Sequence, residues 1–102
     1  MYKLNIMPAA TQDQDSALEY IAETLQNPTA AVSLLDEIDK CYDTLEENPF
    51  LYGFCQDPQL RALGCRRAII KKYILIFKVD ETMQIVHILR FVYGPSDYAR
   101  LI

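Results

Sequence analysis

The sequence predicts an α+β fold: an N-terminal strand and a two-helix hairpin packed on a mainly antiparallel sheet that ends in a three-stranded meander, in the order β-α-α-β-β-β. Three observations carry this expectation. Between about residue 12 and residue 47, apolar side chains recur every three or four positions, as on one face of a helix. From Leu63 the period becomes two, and β-branched and aromatic residues dominate. The breaks in that second half, Lys71-Lys72 and Asp80-Glu81-Thr82, have lengths suited to hairpin turns. Two helices that need a sheet, and a sheet that needs two helices, make one layer pair and a single domain over residues 1–102.

The opening YKLNIM alternates Tyr2, Leu4 and Ile6 against Lys3, Asn5 and Met7, which predicts a half-buried strand that Pro8 ends. Thr11 and Gln14 form a capping-box pattern, and Leu18, Ile21, Ala22 and Leu25 follow at helical spacing, predicting a first helix over about 12–26. Asn27-Pro28 reads as the N-cap and first position of a second helix. Its expected core stripe is Val32, Leu35, Ile38, Tyr42 and Leu45, with Asp36, Glu37, Asp39, Asp43, Glu46 and Glu47 mostly on a solvated face. ENPFLYGFCQDPQ reads as a loop with Phe50, Leu51, Tyr52 and Phe54 tucked under it. CRRAII, YILIFKV and QIVHILRFV supply the meander. The last two runs are apolar at nearly every residue, so both sheet faces need cover, from the C-terminal tail, a partner segment or a second copy; the lone chain is expected either to form a homodimer or to be marginally soluble.

No run of 18 apolar residues exists and the N-terminus lacks a signal-peptide pattern, which predicts a soluble, cytoplasmic protein with no membrane partner. Cys41, Cys55 and Cys65 are odd in number and widely spaced, so free thiols are expected, with no metal site and no cofactor. No phosphate-binding glycine loop, H-E-x-x-H motif or recognisable Cys-His pair is present. His87 lies inside the last strand and reads as a core histidine. Cys65, beside Arg66 and Arg67, could carry a lowered pKa, but nothing nearby supplies a base or a resolving thiol.

Charge is segregated. Residues 1–60 hold two basic and eleven acidic side chains, residues 61–102 eight basic and three acidic, so the C-terminal part can present a positive field although the net charge is −4. Arg66 and Arg67 alternate across a strand, so one must point away from the helices; Arg90 lies on the last strand and Lys71 and Lys72 occupy the first hairpin turn. Tyr73, Tyr93 and Tyr98 are interleaved with them. Such a set suits nucleic acid, cations holding phosphates while rings stack on bases. It equally suits an acidic, partly disordered peptide. A polar turn bordered by core-edge tyrosines accounts for the same residues with no ligand at all.

The succession ALEYIAETLQNPTAAVSLLDEIDKCYDTLEENP, LGCRRAIIKKYILIFKVDE and VHILRFVYGPSDYARLI resembles the RelE/ParE family of toxins from bacterial type II toxin–antitoxin systems. Its most specific parts are Asn27-Pro28 with Ala30-Ala31, the Gly64 to Arg67 segment leading to Tyr73, and the ending with Arg90, Tyr93-Gly94 and Asp97-Tyr98. The resemblance implies a helical hairpin on a mainly antiparallel sheet, and a cognate antitoxin as neutralising partner. It also implies one of two targets: DNA gyrase for ParE-like members, or messenger RNA in the ribosome for RelE-like endoribonucleases. The long helices and the Asn-Pro-x-Ala-Ala junction lean towards ParE. By the same resemblance Arg66, Arg67, Arg90 and Tyr98 are candidate catalytic residues, and Arg66, Arg67, Lys71, Lys72, Tyr73, Arg90, Tyr93, Asp97 and Tyr98 candidate target- or antitoxin-binding residues. Where the family often carries Tyr-Gly-Arg-Arg-Asp-Tyr, this chain has Pro95 and Ser96 in place of the two arginines, and Ile74 follows Tyr73 where RelE-like nucleases tend to have an arginine. The basic catalytic set is therefore incomplete, which also admits a non-toxic homologue that only binds an antitoxin.

Overall fold

Four of the five prolines open helical segments. Pro8, expected to end a strand, stands just past its last residue, Ile6, and also starts the first helix, because its fixed φ suits the first helical position and its missing N–H would have no partner there. The other three follow an Asn or Asp that caps the helix. Asn27 Oδ1 accepts from Ala30 N–H at 3.1 Å, Asn48 Oδ1 from Phe50 N–H at 3.2 Å, and Asp57 Oδ2 from Leu60 N–H at 3.0 Å. The segment read as a loop thus contains a 3₁₀ turn (Pro49–Leu51) and a short helix, α3 (Pro58–Ala62). Thr11 and Gln14, read as a capping box, lie inside the first helix.

The computed structural model describes residues 1–96 and 98–101. Strand β1 (Lys3–Ile6) leads into α1 (Pro8–Glu19), which widens into a π turn (Tyr20–Thr24). That arm ends where Gln26 takes a left-handed φ of 50° and Asn27 N–H reaches back to the Ile21 carbonyl at 3.1 Å. Helix α2 (Pro28–Glu47) returns antiparallel. Strands β2 (Arg66–Ile70), β3 (Tyr73–Asp80) and β4 (Ile85–Tyr93) form the meander, and β1 joins its far edge parallel to β4, giving the order β1-β4-β3-β2.

Each sheet face has its own core. On the helix side, Leu34, Ile38 and Leu45 of α2 meet Leu75, Phe77, Val86, Ile88 and Phe91. The buried stripe of α2 is Ala31, Leu34, Ile38, Cys41 and Leu45: Ile38 and Leu45 fall where expected and Tyr42 packs partly buried against the core, while in the first two turns the stripe sits one residue earlier than Val32 and Leu35. Val32 and Leu35 are exposed at 58% and 42%. Both sets keep the helical period, and the sheet's position selects the small Ala31 and Cys41 beside the shared Ile38 and Leu45. On the outer side, Cys55, Leu60 and Cys65 cover Ile74, Ile76 and Val92, with Leu89 and Tyr98 packed alongside. The chain itself therefore covers much of the second apolar face. Phe50, Leu51 and Phe54 do not tuck in; they are 40%, 67% and 42% exposed, and Pro49, Cys55 and Leu60 take the buried places. Among the described residues no helix is long and apolar enough to cross a membrane.

Candidate functional site

The β2–β3 hairpin turns on Lys71 and Lys72, with Lys71 in the left-handed region at φ 56°. Gly94 seals the end of β4 against this turn: its N–H donates to the Lys72 carbonyl at 2.8 Å, and a Cβ on residue 94 would lie 3.0 Å from that oxygen. This close approach brings Tyr93 beside Tyr73, whose ring stacks on Phe91 at 4.9 Å and meets Tyr93 edge-on at 5.7 Å.

An open groove of about 770 Å³ lies between this end of the sheet and the helical arm. Ala17, Ile21, Leu25 and Leu34 make its apolar wall, Tyr73 and Phe91 its floor, and Lys71, Lys72, Tyr93 and Asp13 its polar rim. Lys71 Nζ donates to Ser33 Oγ at the start of α2 at 2.8 Å, tying the turn to the helices. Burial, with Tyr93 and Tyr20 nearby, pushes the Tyr73 phenol above its ordinary range, so at neutral pH it stays protonated. Among the described residues no histidine or cysteine lines the groove; it presents two lysines, the rings of Tyr20, Tyr73, Phe91 and Tyr93, and Ser16 one helical turn from Asp13, a carboxylate engaged by Arg90.

The remaining cations lie elsewhere. Arg90 makes a bidentate pair with Asp13, Nε to Oδ2 at 2.7 Å and Nη2 to Oδ1 at 2.9 Å, and this bonding holds its guanidinium above the ordinary range. The same carboxylate accepts Phe91 N–H at 3.1 Å. The register explains that third bond: β1 ends at Ile6 opposite Ile88, and β4 carries a bulge beyond it, so Asp13 of α1 takes an edge amide that no strand reaches. Arg66 donates to the Tyr52 carbonyl at 2.7 Å and lies over the rings of Phe54 and Phe50 at 4.0 and 5.1 Å. Arg67 opposes Ile76 and so belongs to the outer face, where its charge acts on Cys55. Tyr98 packs on that outer core, and Asp97 lies outside the described residues. His87 is half-buried rather than a core residue, its Nδ1 2.9 Å from Asn5 Nδ2. Burial raises the Cys65 thiol's pKa, so the lowering expected from its arginine neighbours does not occur.

Of the candidate residues, then, Lys71, Lys72, Tyr73 and Tyr93 come together at the groove; Arg66, Arg67 and Tyr98 do not. The profile described as the ParE toxin of a type II toxin–antitoxin system, parDE, matches residues 4–98. The chain belongs to this family. Its fold is also that of two solved structures: the chromosomal ParDE toxin–antitoxin system from P. aeruginosa, and the RelBE2 toxin–antitoxin complex from Mycobacterium tuberculosis. The first is 18% identical at a TM-score of 0.70, covering 91% of this chain and 96% of that one. The second is 17% identical at a TM-score of 0.61, covering 90% and 96%. A search of curated proteins returned no match.

As a ParE-family chain, the protein departs from the expected arginine pair at the groove's edge. Pro95 and Ser96 follow directly on Gly94, and Ser96 Oγ donates to the Tyr93 carbonyl at 2.6 Å, closing a turn that carries no charge at those two positions. Sequence reasoning missed Asp13, which stands 77 residues from Arg90 with no local pattern to mark it. It also missed Phe91 as the platform for Tyr73. That pairing follows from strand register, in which Leu75 opposes Phe91 and Tyr73 opposes Tyr93.

Proposed function

We propose that this ParE-family toxin arrests growth by poisoning DNA gyrase and is neutralised by a cognate antitoxin, one segment of which lies in the groove between the helical arm and the β2–β3 turn. The observation that carries the reading is the groove itself, an apolar trough with two lysines at its mouth. An amphipathic segment fits it, apolar side chains against Ile21, Leu25 and Tyr73 and carboxylates towards Lys71 and Lys72. The arrangement argues against RNA cleavage. Scission needs several cations and an acid or base around one phosphate. Here Arg90 is paired with Asp13 and Arg66 is clamped at Tyr52, which leaves Lys71 and Lys72 as the cations at the groove.

Inducing the chain alone in bacteria tests this. Loss of viability with DNA cleavage and an SOS response, reversed by co-expressed antitoxin, is the expected outcome. Immediate translation arrest with cut messages would replace gyrase by the ribosome. A second reading rests on Pro95-Ser96: with the arginine pair gone, the chain binds its antitoxin and poisons nothing. In that case the native chain is harmless and a Pro95→Arg/Ser96→Arg version kills.

A further inference from the structure

Beside α3, on the face opposite the helical hairpin, two buried cysteines, Cys55 and Cys65, share one core. We propose that Cys55 and Cys65 form a reversible redox staple, closing to a disulfide when the α3 segment opens in an oxidising environment and fixing that segment to the outer face of the sheet. Backbone register carries the proposal. Phe54 and Arg66 are directly opposed in an isolated antiparallel bridge, flanked by Arg67 N–H to the Gly53 carbonyl at 3.1 Å and Cys55 N–H to the Cys65 carbonyl at 2.9 Å. The same register places Cys55 opposite Cys65 with both side chains on one face, and both belong to the outer core. Only one of the two bonds of that pair forms, since Cys65 N–H turns to the Leu60 carbonyl at 2.9 Å; residues directly opposed across antiparallel strands have Cα atoms about 4.5–5.5 Å apart, inside the roughly 4.4–6.8 Å that disulfides span. Cys41 lies in the other core, behind the sheet, so only one of the three possible pairings is served.

The staple is a conditional one. Both thiols are almost fully enclosed, at 0% and 1% exposure, and burial pushes Cys55 up to about 11, so neither reacts while the segment is closed. Opening is a local event, because the cover consists of a helix of five residues and the turns beside it. A small disulfide such as oxidised glutathione then serves as oxidant. The thiolate of one cysteine attacks its S–S bond and releases one thiol. The second cysteine attacks the mixed disulfide and releases the other, leaving a Cys55–Cys65 bond and two reduced small thiols. Two electrons pass to the oxidant, and the two cysteine protons end on the released thiols. The closed ring encloses α3, and the Phe54–Arg66 bridge flanks it directly, so the staple fixes the end of the sheet remote from the groove. It stands or falls independently of the gyrase reading.

The test is to refold the native chain from urea in glutathione buffers of graded ratio, block free thiols, and map disulfides by mass spectrometry. Refolding exposes every thiol, so burial cannot hide the result. The expected product has one internal disulfide linking Cys55 to Cys65 and a free Cys41, forms equally in Cys41→Ser, and is lost in Cys55→Ala and Cys65→Ala. Its α3 amides exchange at least about 10-fold more slowly than in the reduced chain. Pairing through Cys41, glutathione adducts without an internal bond, or three free thiols at every ratio would each overturn the proposal.

Discussion

At one end of the β2–β3 hairpin Arg66 lies 4.0 Å over Phe54 and donates to the Tyr52 carbonyl at 2.7 Å; at the other, Lys71 and Lys72 stand exposed beside Tyr73 and Tyr93. Both ends combine cations with aromatic rings, and residue types alone make them equivalent. What separates them is whether the charge already has a partner inside the chain. Arg66 and Arg90 spend their planar guanidinium groups on carbonyl, carboxylate and ring contacts, the geometries that arginine satisfies better than lysine. The side chains of the turn lysines show one internal bond, Lys71 to Ser33, on an exposed surface where such a bond contributes little. The engaged cations are therefore expected to show their effect in stability and the turn lysines in binding.

The largest effect is expected at the Asp13–Arg90 pair, whose side chains are 18% and 24% exposed. Asp13→Ala removes the acceptor for three donors and should lower stability by about 2–3 kcal/mol in urea unfolding, because charge-assisted bonds are lost and the Phe91 amide is left unpaired. Arg90→Ala should cost less, since Asp13 still accepts from that amide. A double-mutant cycle is expected to return a coupling of about 1–2 kcal/mol. Additive single effects would mean the two groups do not act as a unit. Arg66→Ala comes next, at about 1–2 kcal/mol for the lost carbonyl bond and ring contacts. Arg66→Lys should recover less than half of that, because an ammonium cannot lie flat between Phe54 and Phe50 while donating to Tyr52. Full recovery by lysine would make charge alone sufficient and dissolve the contrast with Lys71.

The strands were legible because period-two runs separated by short polar breaks admit few arrangements, and the turn at Lys71-Lys72 falls where those runs place it. The helices were legible in kind and, at Ile38 and Leu45, in phase, but not over the first two turns of α2. Val32 and Leu35 are as apolar as the residues buried instead, so only packing on the sheet decides which face turns inward. Three Asn/Asp-Pro pairs look alike as breakers and as caps; the difference lies in whether the following residues find something to bury. The candidate site was half legible. Lys71, Lys72, Tyr73 and Tyr93 are close in register and could be grouped from the strand pattern. Asp13 could not, because its contact with Arg90 depends on a bulge in β4 and on where β1 stops. The Cys55–Cys65 opposition was hidden for the same reason, resting on a single isolated bridge outside the meander.

The smallest stability effect is the one that bears most directly on function. Lys71 holds a left-handed φ of 56°, a conformation that costs a side-chain-bearing residue about 1 kcal/mol and glycine almost nothing. Lys71→Gly should therefore raise stability by roughly 0.5 kcal/mol, the relief of strain exceeding the loss of the exposed bond to Ser33. Antitoxin affinity should fall at least several-fold in the same variant, because a charge at the groove's mouth has gone. Lys71→Asn, which tolerates the same backbone without the charge, should weaken binding similarly. Together these outcomes would mean that the turn keeps a strained lysine for its charge, a local cost retained where a partner is met. A destabilisation above about 1 kcal/mol with binding unchanged would instead make the Lys71–Ser33 bond a structural tie, and the two ends of the hairpin would be alike after all.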